Sequence, residues 1–529
     1  ANVSLTNPFT TGSAGSSVIT VTDAGNTIAQ TSPPSRIVIS SIASGTIDGV
    51  TITAGEYLAT YVSATQYTIT AVAGTGASIS GTASAGAQTG GGAVVLRYLV
   101  SNGPSDGLTG FGFGAGLWSS STWGTARSTS GVVLSPRVWT MDAWGEDIIA
   151  SIGGGEDTLY YFDISAFIAA PSTYRGSTLG QYVTSIGGDA TSIPTKVGVV
   201  LVSTPDRHIV VFGSNPEGSS TYDRLTVRWC SQESLSDWNT QITNTAGATR
   251  LGTGTNIEAA AKARGQMILW TDVDMYSMQF TGPPFTFSFQ QLGEASGTIS
   301  KNSPAMVEGA AFWMGTNNFY AYDGAIKTLK CPVLNRVFDS FSQTQREKVF
   351  SAEIIEFNEI WWFYPSAGAT EIDKYVIYNY VDNTWSVGSL DRTAWHDAGI
   401  FTYPLGSDSA GKVYDQERGV NAASAALDAS VETGFFSGDE NGDNIIFIDR
   451  IIPDTSFSTG STMKFQIKSK RYPNDSETTK GPYSITSSTN KLNLRARGRS
   501  FQCKWYSDTT DVAWRLGTWR ATGQADGTR

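Results

Sequence analysis

Two histidines, His208 and His396, are the only imidazoles in this chain of 529 residues. His208 opens an apolar run that predicts a strand, and His396 lies between Trp395 and Asp397 in a predicted loop. A Ser-His-Asp site, a zinc site or a proton shuttle would need a histidine within a cluster of partner residues. Neither histidine belongs to such a motif, so the sequence assigns no catalytic residue to them.

Paired carboxylates are the second candidate, since a glycosidase needs only two of them a few ångströms apart. Three clusters bring acids together in the sequence: Glu146 with Asp147, Asp272 with Asp274, and Asp439 with Glu440. These clusters keep polysaccharide hydrolysis open as an alternative function.

Two short segments resemble known functional turns. Residues 382–385 (DNTW) faintly resemble the Asp-box of sialidase propellers, but the preceding residues of that motif and a second copy are missing. We interpret them as a turn followed by a Trp that plugs a blade. Residues 439–443 (DENGD) have the acid spacing of a calcium loop without a Glu at the twelfth position or flanking helices. A plain turn is favoured there, and metal binding by it stays open. We therefore expect no enzyme activity, no cofactor and no assigned metal site.

Composition favours a β-rich protein. Charged residues make up 16% of the chain, below the roughly 25% of an average soluble protein, and Gly, Ser, Thr and Ala replace them. Such a surface is often covered by neighbouring subunits. Cys230, Cys331 and Cys503 are isolated and odd in number, which predicts no disulfide framework. No apolar run approaches 18 residues, so we expect no membrane-spanning helix, and residues 1–9 lack a basic region and an apolar region, so we expect no intact secretory signal there.

Charge is uneven along the chain. The net charge is −11, which argues against a nucleic-acid binder. From residue 461 onward, however, basic residues far outnumber acidic ones, with Arg495, Arg497 and Arg499 in one run. A solvated strand face is the simpler interpretation of this basic stretch, and a docking face for an acidic partner is the alternative.

The elements that would position these residues are mostly strands. Residues 1–92 contain short alternating runs of β-branched residues, which predict a small β-barrel-like domain, with a flexible Gly/Ala-rich excursion over residues 74–92. Residues 93–131 predict one strand and then a Gly/aromatic-rich segment that forms either a surface hairpin or an arm that packs on a neighbour. Helices are few, and residues 256–263 and 332–341 are the best candidates.

A loose repeat over residues 132–422 is the most informative feature. Each unit pairs an apolar strand with a second strand rich in Tyr, Trp or Phe, and the six pairs are residues 147–150 with 159–163, 208–213 with 225–229, 266–270 with 275–278, 310–314 with 319–324, 360–364 with 375–379, and 399–403 with 412–415. The spacing is typical of propeller blades, so we predict an all-β fold with a propeller of about six blades. Ordinary meanders in one or two sandwiches are the alternative. Residues 423–529 predict a basic, β-sandwich-like region.

Several of these residues also resemble a known family. Residues 139–150 (WTMDAWGEDIIA) followed by 159–163 (LYYFD) resemble the first blade of tail nozzle proteins of short-tailed bacteriophages, also called tail tubular protein B or packaged-DNA stabilisation proteins. Further segments also resemble parts of these proteins, and they are residues 229–232, 237–239, 312–315, 322–324, 495–499 and 514–517. The likeness covers about residues 93–529, and residues 18–73 resemble the small barrel often inserted near the start of these proteins.

The resemblance implies a structural virion protein. Such a subunit would form a homohexamer at the distal end of the tail, around the channel through which DNA leaves. It would attach to an adaptor or portal-side ring, meet tail fibres or spikes, and touch the genome transiently and without sequence preference. A polysaccharide depolymerase and a receptor-binding adhesin, each on a propeller scaffold, are the competing classes.

Overall fold

The structure is a computed structural model that describes residues 2–26, 28, 35–99, 106–107, 136–154, 157–169, 174–283, 285–294, 296–439, 442–457 and 461–528. Two compact units divide the chain, Ala1–Tyr414 and Asp415–Arg529. The first unit contains a barrel and a propeller, and the second is a sandwich.

The N-terminal part of the first unit consists of eleven strands: β1 (Asn2–Thr6), β2 (Phe9–Thr11), β3 (Ile19–Thr22), β4 (Ser35–Ile42), β5 (Thr46–Ile47), β6 (Val50–Ile52), β7 (Gly55–Ser63), β8 (Gln66–Ala71), β9 (Ile79–Ser80), β10 (Thr89–Gly90) and β11 (Ala93–Tyr98). Eight of them form one sheet in the order β1-β11-β4-β7-β8-β3-β2-β10, and β5, β6 and β9 form a small second sheet.

This sheet closes into a barrel of six continuous strands. β1 pairs with β11 and β2 pairs with β10 in one antiparallel register, interrupted only where Asn7 donates its N–H to Gly92 O at 2.8 Å. β1–β2 and β10–β11 therefore act as two long strands that join the ends of the sheet, which leaves no open edge. Alternate residues such as Ile19, Val21, Ile37 and Tyr57 fill the interior.

The predicted barrel is confirmed, with two differences. Strand β11, which we placed in the next segment, is a barrel strand, because its alternate residues Val94 and Leu96 are buried in the barrel core. The predicted flexible excursion over residues 74–92 contains β9 and β10. It is held by backbone hydrogen bonds such as Ala83 N to Ser16 O at 2.8 Å.

The propeller contains twenty-three strands: β12 (Thr140–Trp144), β13 (Asp147–Ser151), β14 (Tyr160–Phe162), β15 (Ser177–Thr178), β16 (Val197–Val202), β17 (Ile209–Ser214), β18 (Asp223–Trp229), β19 (Gly247–Arg250), β20 (Ile257–Ala263), β21 (Gln266–Thr271), β22 (Asp274–Gly282), β23 (Thr286–Glu294), β24 (Ala305–Val307), β25 (Ala310–Met314), β26 (Phe319–Tyr322), β27 (Ile326–Thr328), β28 (Phe350–Ile354), β29 (Glu359–Tyr364), β30 (Lys374–Asn379), β31 (Thr384–Gly388), β32 (Ala394–His396), β33 (Leu405–Ser407) and β34 (Val413–Asp415). They form five consecutive four-stranded antiparallel sheets and a sixth, three-stranded sheet. These six sheets are the predicted blades.

Each blade is a meander whose first strand lies nearest the propeller axis. The first strands β12, β16, β20, β24, β28 and β32 contact one another in succession. Tight turns join the first and second strands, and Gly265 (φ +75°) and Gly309 (φ +87°) occupy the left-handed positions that such turns require. Aromatic residues fill the space between blades, as Phe319 of blade 4 does against Trp362 of blade 5 at 5.0 Å between ring centroids.

Helices are short. They are α1 (Ile164–Ala169), α2 (Leu179–Ser185) and α3 (Leu334–Phe338), with 3₁₀ helices at Gln343–Lys348 and Ile355–Phe357. α3 confirms the helix predicted within residues 332–341. The helix predicted over residues 256–263 is wrong, because these residues form β20. The Ala-rich sequence has high helix propensity, but β20 pairs with β21 from Ile257 to Ala263 as the first strand of blade 3, and Ala259 is fully buried there.

The second unit contains twelve strands: β35 (Asn421–Ala422), β36 (Ala425–Ala426), β37 (Ala429–Glu432), β38 (Phe436–Ser437), β39 (Ile446–Ile452), β40 (Thr455–Phe457), β41 (Met463–Lys470), β42 (Thr478–Ile485), β43 (Leu492–Gly498), β44 (Ser500–Ser507), β45 (Trp514–Leu516) and β46 (Arg520–Ala525). One sheet has the order β37-β44-β41-β42 with β38 also on β44, and another has the order β43-β39-β46.

The two larger sheets share one core, which makes this unit a β-sandwich. Alternate residues of β41 and β44, including Phe465 and Trp505, pack with Leu494 of β43 and Ile451 of β39. The unit begins at Asp415, before the predicted boundary at residue 423. Asn421 explains the difference, because its side chain exchanges two hydrogen bonds of 2.7 Å with Asp511.

Candidate functional site: the propeller cavity and the exposed turns

A cavity of about 830 Å³ lies on the propeller axis. Residues from the inner strands and from neighbouring connections line it, and the principal ones are Arg137, Trp139, Lys301, Lys348, Phe350, Glu353, Glu371, Trp395, His396 and Asp397. Three aromatic rings and several charges of both signs therefore share one concave site, which is the composition of many ligand pockets.

Lys301 is an enclosed cation in this cavity. Its Nζ donates to Val138 O at 3.3 Å, and a Cβ atom at residue 153 would lie 2.2 Å from it, so a side chain at that position would displace the ammonium group. Burial lowers the pKa of Lys301, against the attraction of Glu347 and Glu258. Burial also raises the pKa of Glu347, and the nearby charge of Glu258 raises it further. The three groups place charges of both signs beside the cavity.

Glu353 and Asp397 form the second charged feature of the cavity. Glu353 accepts the N–H of Met306 at 2.5 Å, and Asp397 accepts the N–H of Ile355 at 3.4 Å. Burial raises the pKa of Glu353, and the negative charge of Asp397 adds to this shift. A carboxyl group held toward its protonated form near a second carboxyl group can exchange a proton with a bound molecule.

Lys348 fixes the rim of the cavity. Its Nζ lies 3.0 Å from Asp106 and 2.7 Å from Glu371. Gln345, on the same 3₁₀ helix, exchanges two hydrogen bonds of 2.9 and 3.1 Å with the backbone of Gly107. These contacts tie residues 106–107 to the propeller. The rest of the predicted Gly/aromatic-rich arm, to residue 131, lies outside the described residues.

The two histidines occupy different environments. His208 is fully buried, with Nδ1 3.5 Å from Asp206 and Nε2 3.1 Å from Thr245 Oγ1. Burial lowers its pKa, although Asp206 opposes this shift. His396 lies in strand β32, not in the predicted loop, and lines the cavity.

The strand predicted at residues 399–403 is wrong, because these residues form the connection between β32 and β33.

The carboxylate clusters singled out in the sequence do not line the cavity. Asp147 accepts hydrogen bonds from Tyr161 Oη at 2.5 Å and from Ile164 N at 2.9 Å, which fixes the start of α1. Asp272 accepts from Thr255 Oγ1 at 2.6 Å, and Asp274 is buried in β22. Burial alone would raise the pKa of Asp272, but its hydrogen bonds from Thr255 leave that pKa below its ordinary value. Glu146 is exposed in the turn before β13.

The two motif-like turns have local roles. In residues 382–385, Asn383 accepts from Tyr378 Oη at 2.7 Å, and Trp385 packs on Phe319 at 4.8 Å between ring centroids. Trp385 thus plugs the contact between blades 4 and 5. In residues 439–443, Asp439 accepts from Asn444 N and Nδ2 at 3.1 and 2.9 Å, while Glu440 and Asn441 lie outside the described residues.

The three arginines of the basic run differ in their surroundings. Arg495 points to solvent from β43 beside Lys480 and Tyr483. Arg497 forms an ion pair with Asp526. Arg499 donates to the carbonyl oxygens of Asp443, Arg471 and Thr528 at 3.1, 3.2 and 2.7 Å. Within the part of the chain that the structure describes, Arg495 is therefore the one arginine of this run that no acid or carbonyl holds.

Exposed apolar side chains concentrate on one face of the propeller. We call this the turn face, since it carries the turns that join the first to the second strand and the third to the fourth strand of each blade. Eleven large apolar side chains are exposed there: Phe167, Ile168, Ile242, Phe280, Phe285, Ile355, Phe357, Val381, Ile400, Phe401 and Tyr403. The turn between β21 and β22, on the opposite face, exposes Val273. No local pattern in the sequence shows this asymmetry, because it depends on which turns share a side of the ring.

Known proteins resemble this chain only at low identity. No family model matches the chain, and no curated protein matches it. The N-terminal domain of Nup159 shares 10% identity over 53% of this chain and 74% of its own length, with a TM-score of 0.31. An exo-β-1,3-galactanase from Phanerochaete chrysosporium shares 11% over 74% and 97%, with a TM-score of 0.25. A Synechocystis apocarotenoid oxygenase shares 8% over 73% and 91%, with a TM-score of 0.31.

These likenesses are too weak to support an argument about function. Among the described residues, no helix is long and apolar enough to cross a membrane.

Proposed function

We propose that the protein is a structural subunit of the tail nozzle of a short-tailed bacteriophage. Six copies would form a ring around the channel through which the genome leaves the virion. The ring would help to retain packaged DNA, attach to an adaptor or portal-side ring, and contact tail fibres or spikes. The protein would act without a cofactor and without catalysis.

The observation that carries this proposal is the apolar turn face. Eleven large apolar side chains are exposed on one side of the propeller, and those of blades 5 and 6 lie in turns that contact one another. Such a face is stable when other protein covers it, as in a permanent assembly. The function is therefore that of an assembled subunit.

The positions of the resembling segments support the same proposal. Residues 139–150 and 159–163 form β12, β13 and β14 of blade 1. Residues 312–315 include the end of the second strand of blade 4, and residues 322–324 include the end of its third strand and the turn that follows. The segments that resemble nozzle proteins thus fall on equivalent structural elements in two separate blades.

Charge supports a DNA channel. The first unit contains 33 acidic and 21 basic residues, so most of the acidic excess of the chain lies in the barrel and propeller. An acidic wall repels phosphates and avoids the affinity that counterion release gives to a basic groove. DNA could then pass without being held.

Native mass and negative-stain images of the purified protein test this proposal. We expect rings of about six subunits with a central hole. The rings should not retain double-stranded DNA in a filter-binding assay at about 0.15 M salt, where screening is already strong. A compact trimer without a central hole, or tight DNA binding, would contradict the nozzle proposal.

A second candidate function rests on the cavity. Glu353 near Asp397, with Trp139 and Trp395 in the same wall, is an arrangement that suits a polysaccharide chain and general acid catalysis. The test is release of reducing sugar from host capsule or lipopolysaccharide. Activity that is lost in Glu353→Gln and kept in Glu146→Gln, an exposed turn residue, would establish a depolymerase. Absence of release by the wild type would leave the structural role alone.

A further inference from the structure

The turns of blades 5 and 6 join into one apolar–acidic cluster. It consists of Ile355, Glu356, Phe357, Val381, Asp382 and Ile400, all exposed. Ile355 and Val381 expose 63% and 60% of their surface, and Ile400 exposes 91%. Asn379 Nδ2 donates to Phe357 O at 3.0 Å, and Ile355 N donates to Asp397 at 3.4 Å, so the three turns are in contact.

Acidic charge in this cluster is uncompensated. Glu356 follows Ile355 directly, and Asp382 follows Val381. No described lysine or arginine lies within ion-pair distance of either carboxylate, whereas Asp323 in the neighbouring blade is paired with Lys327 at 2.6 Å. The cluster therefore suits a partner surface that is apolar and basic.

The second unit has a surface of that composition, the aromatic–basic patch. It consists of Phe435, Phe436, Lys470, Arg471, Tyr472 and Arg499. The Lys470 ammonium lies 4.6 Å from the Phe435 ring centroid, and the Arg499 guanidinium lies 4.8 Å from that of Tyr472. Tyr472 exposes 52% of its surface, and Phe435 and Phe436 expose 38% and 37%. Lys470 is paired with Glu477 at 3.3 Å, whereas Arg471 is exposed and has no acidic partner among the described residues, so Arg471 supplies the unpaired positive charge of the patch.

We propose that the apolar–acidic cluster of one copy binds the aromatic–basic patch of a second copy. Both surfaces are exposed within one chain, each combines large apolar side chains with charge, and the charges are of opposite sign. Burying the apolar groups supplies the driving force, while Glu356 and Asp382 facing Arg471 set the orientation.

This contact joins two different surfaces, so each copy presents one surface to each of two neighbours. Heterologous contacts of this kind close into a ring when the rotation between copies permits it. The inference rests on the proposed function and names the contact that would build the ring.

Photo-crosslinking of the full chain tests the contact. A benzoylphenylalanine replaces Ile400 in one variant and Val273, on the opposite face of the propeller, in a control variant. Both positions are exposed, so neither change disturbs the core. Mass spectrometry of mixed isotope-labelled copies identifies the linked peptides and separates links between copies from links within a copy.

We expect the Ile400 probe to link to peptides that contain residues 435–436 or 470–472 of another copy, and the Val273 probe to link to neither. Glu356→Lys should reduce the yield at least several-fold, and adding Arg471→Glu to it should restore the yield.

Rings that form normally without these crosslinks would overturn the contact and leave the nozzle proposal intact. Crosslinked pairs without rings would support the contact and contradict the hexamer. Absence of any crosslink between copies, at every protein concentration, would overturn the contact.

Discussion

Arg499→Ala and Arg495→Ala form a matched pair of substitutions in the second unit. Arg495 lies on β43 and Arg499 follows that strand directly, and both carry the same charge. Arg499 holds three backbone carbonyls and the Tyr472 ring, whereas Arg495 points to solvent. We expect the first substitution to destabilise the unit and the second to leave it unchanged.

The size of the difference follows from the contacts of Arg499. A hydrogen bond contributes about 0.5–1.5 kcal/mol net, and the lower end applies to these solvent-exposed ones. A cation–π contact at an exposed site adds about 0.5–1 kcal/mol. Because the contributions share one side chain and do not add fully, Arg499→Ala should cost about 2 kcal/mol. Arg495→Ala should change the free energy of unfolding by less than about 0.5 kcal/mol.

Hydrogen exchange of the β43 and β44 amides, followed by mass spectrometry at increasing urea, measures this difference for the second unit alone. Equal protection in the two variants would refute the structural role of Arg499. The result also bears on tests of the basic run as a docking surface. Reversing all three arginines would disturb the sandwich itself, so Arg471→Glu is the cleaner change.

Two further predictions concern the propeller. Trp362→Ala should cost about 3–5 kcal/mol, because it empties a fully buried site between blades 4 and 5. Trp362→Phe should cost about 1–2 kcal/mol through loss of the 3.0 Å hydrogen bond to Ser303 O. Urea unfolding measures both, and equal costs would contradict this assignment. Lys301→Met should be more stable than the wild type at pH 7. The difference should shrink as pH rises toward about 10.4, because a lysine whose pKa is lowered on folding gains stability with pH below its unfolded pKa. A difference that stays constant from pH 7 to 10 would contradict the burial of a charged Lys301.

Local patterns were sufficient for the fold class. Alternating β-branched residues predicted the barrel strands, and paired apolar and aromatic runs predicted the second and third strands of five blades at their observed positions. These elements are visible in a sequence because their side chains are buried in a regular order that repeats along the chain. The same reasoning failed where a strand is buried by its position in the propeller ring and not by a regular pattern along its own sequence. β20 looks helical from its alanines, and only its place next to the axis explains why it is extended.

The candidate site needed long-range structure. Lys301, Glu353 and Asp397 belong to no motif, and they line one cavity because first strands from separate blades converge on the axis. The turn face has the same origin, since its apolar residues are single exposed side chains far apart in sequence. Closing the ring brings alternate turns of every blade to one side, and that closure depends on contacts between blades, which no local pattern encodes. Arg495, Arg497 and Arg499 look equivalent in the sequence, and only the partners that folding supplies distinguish them.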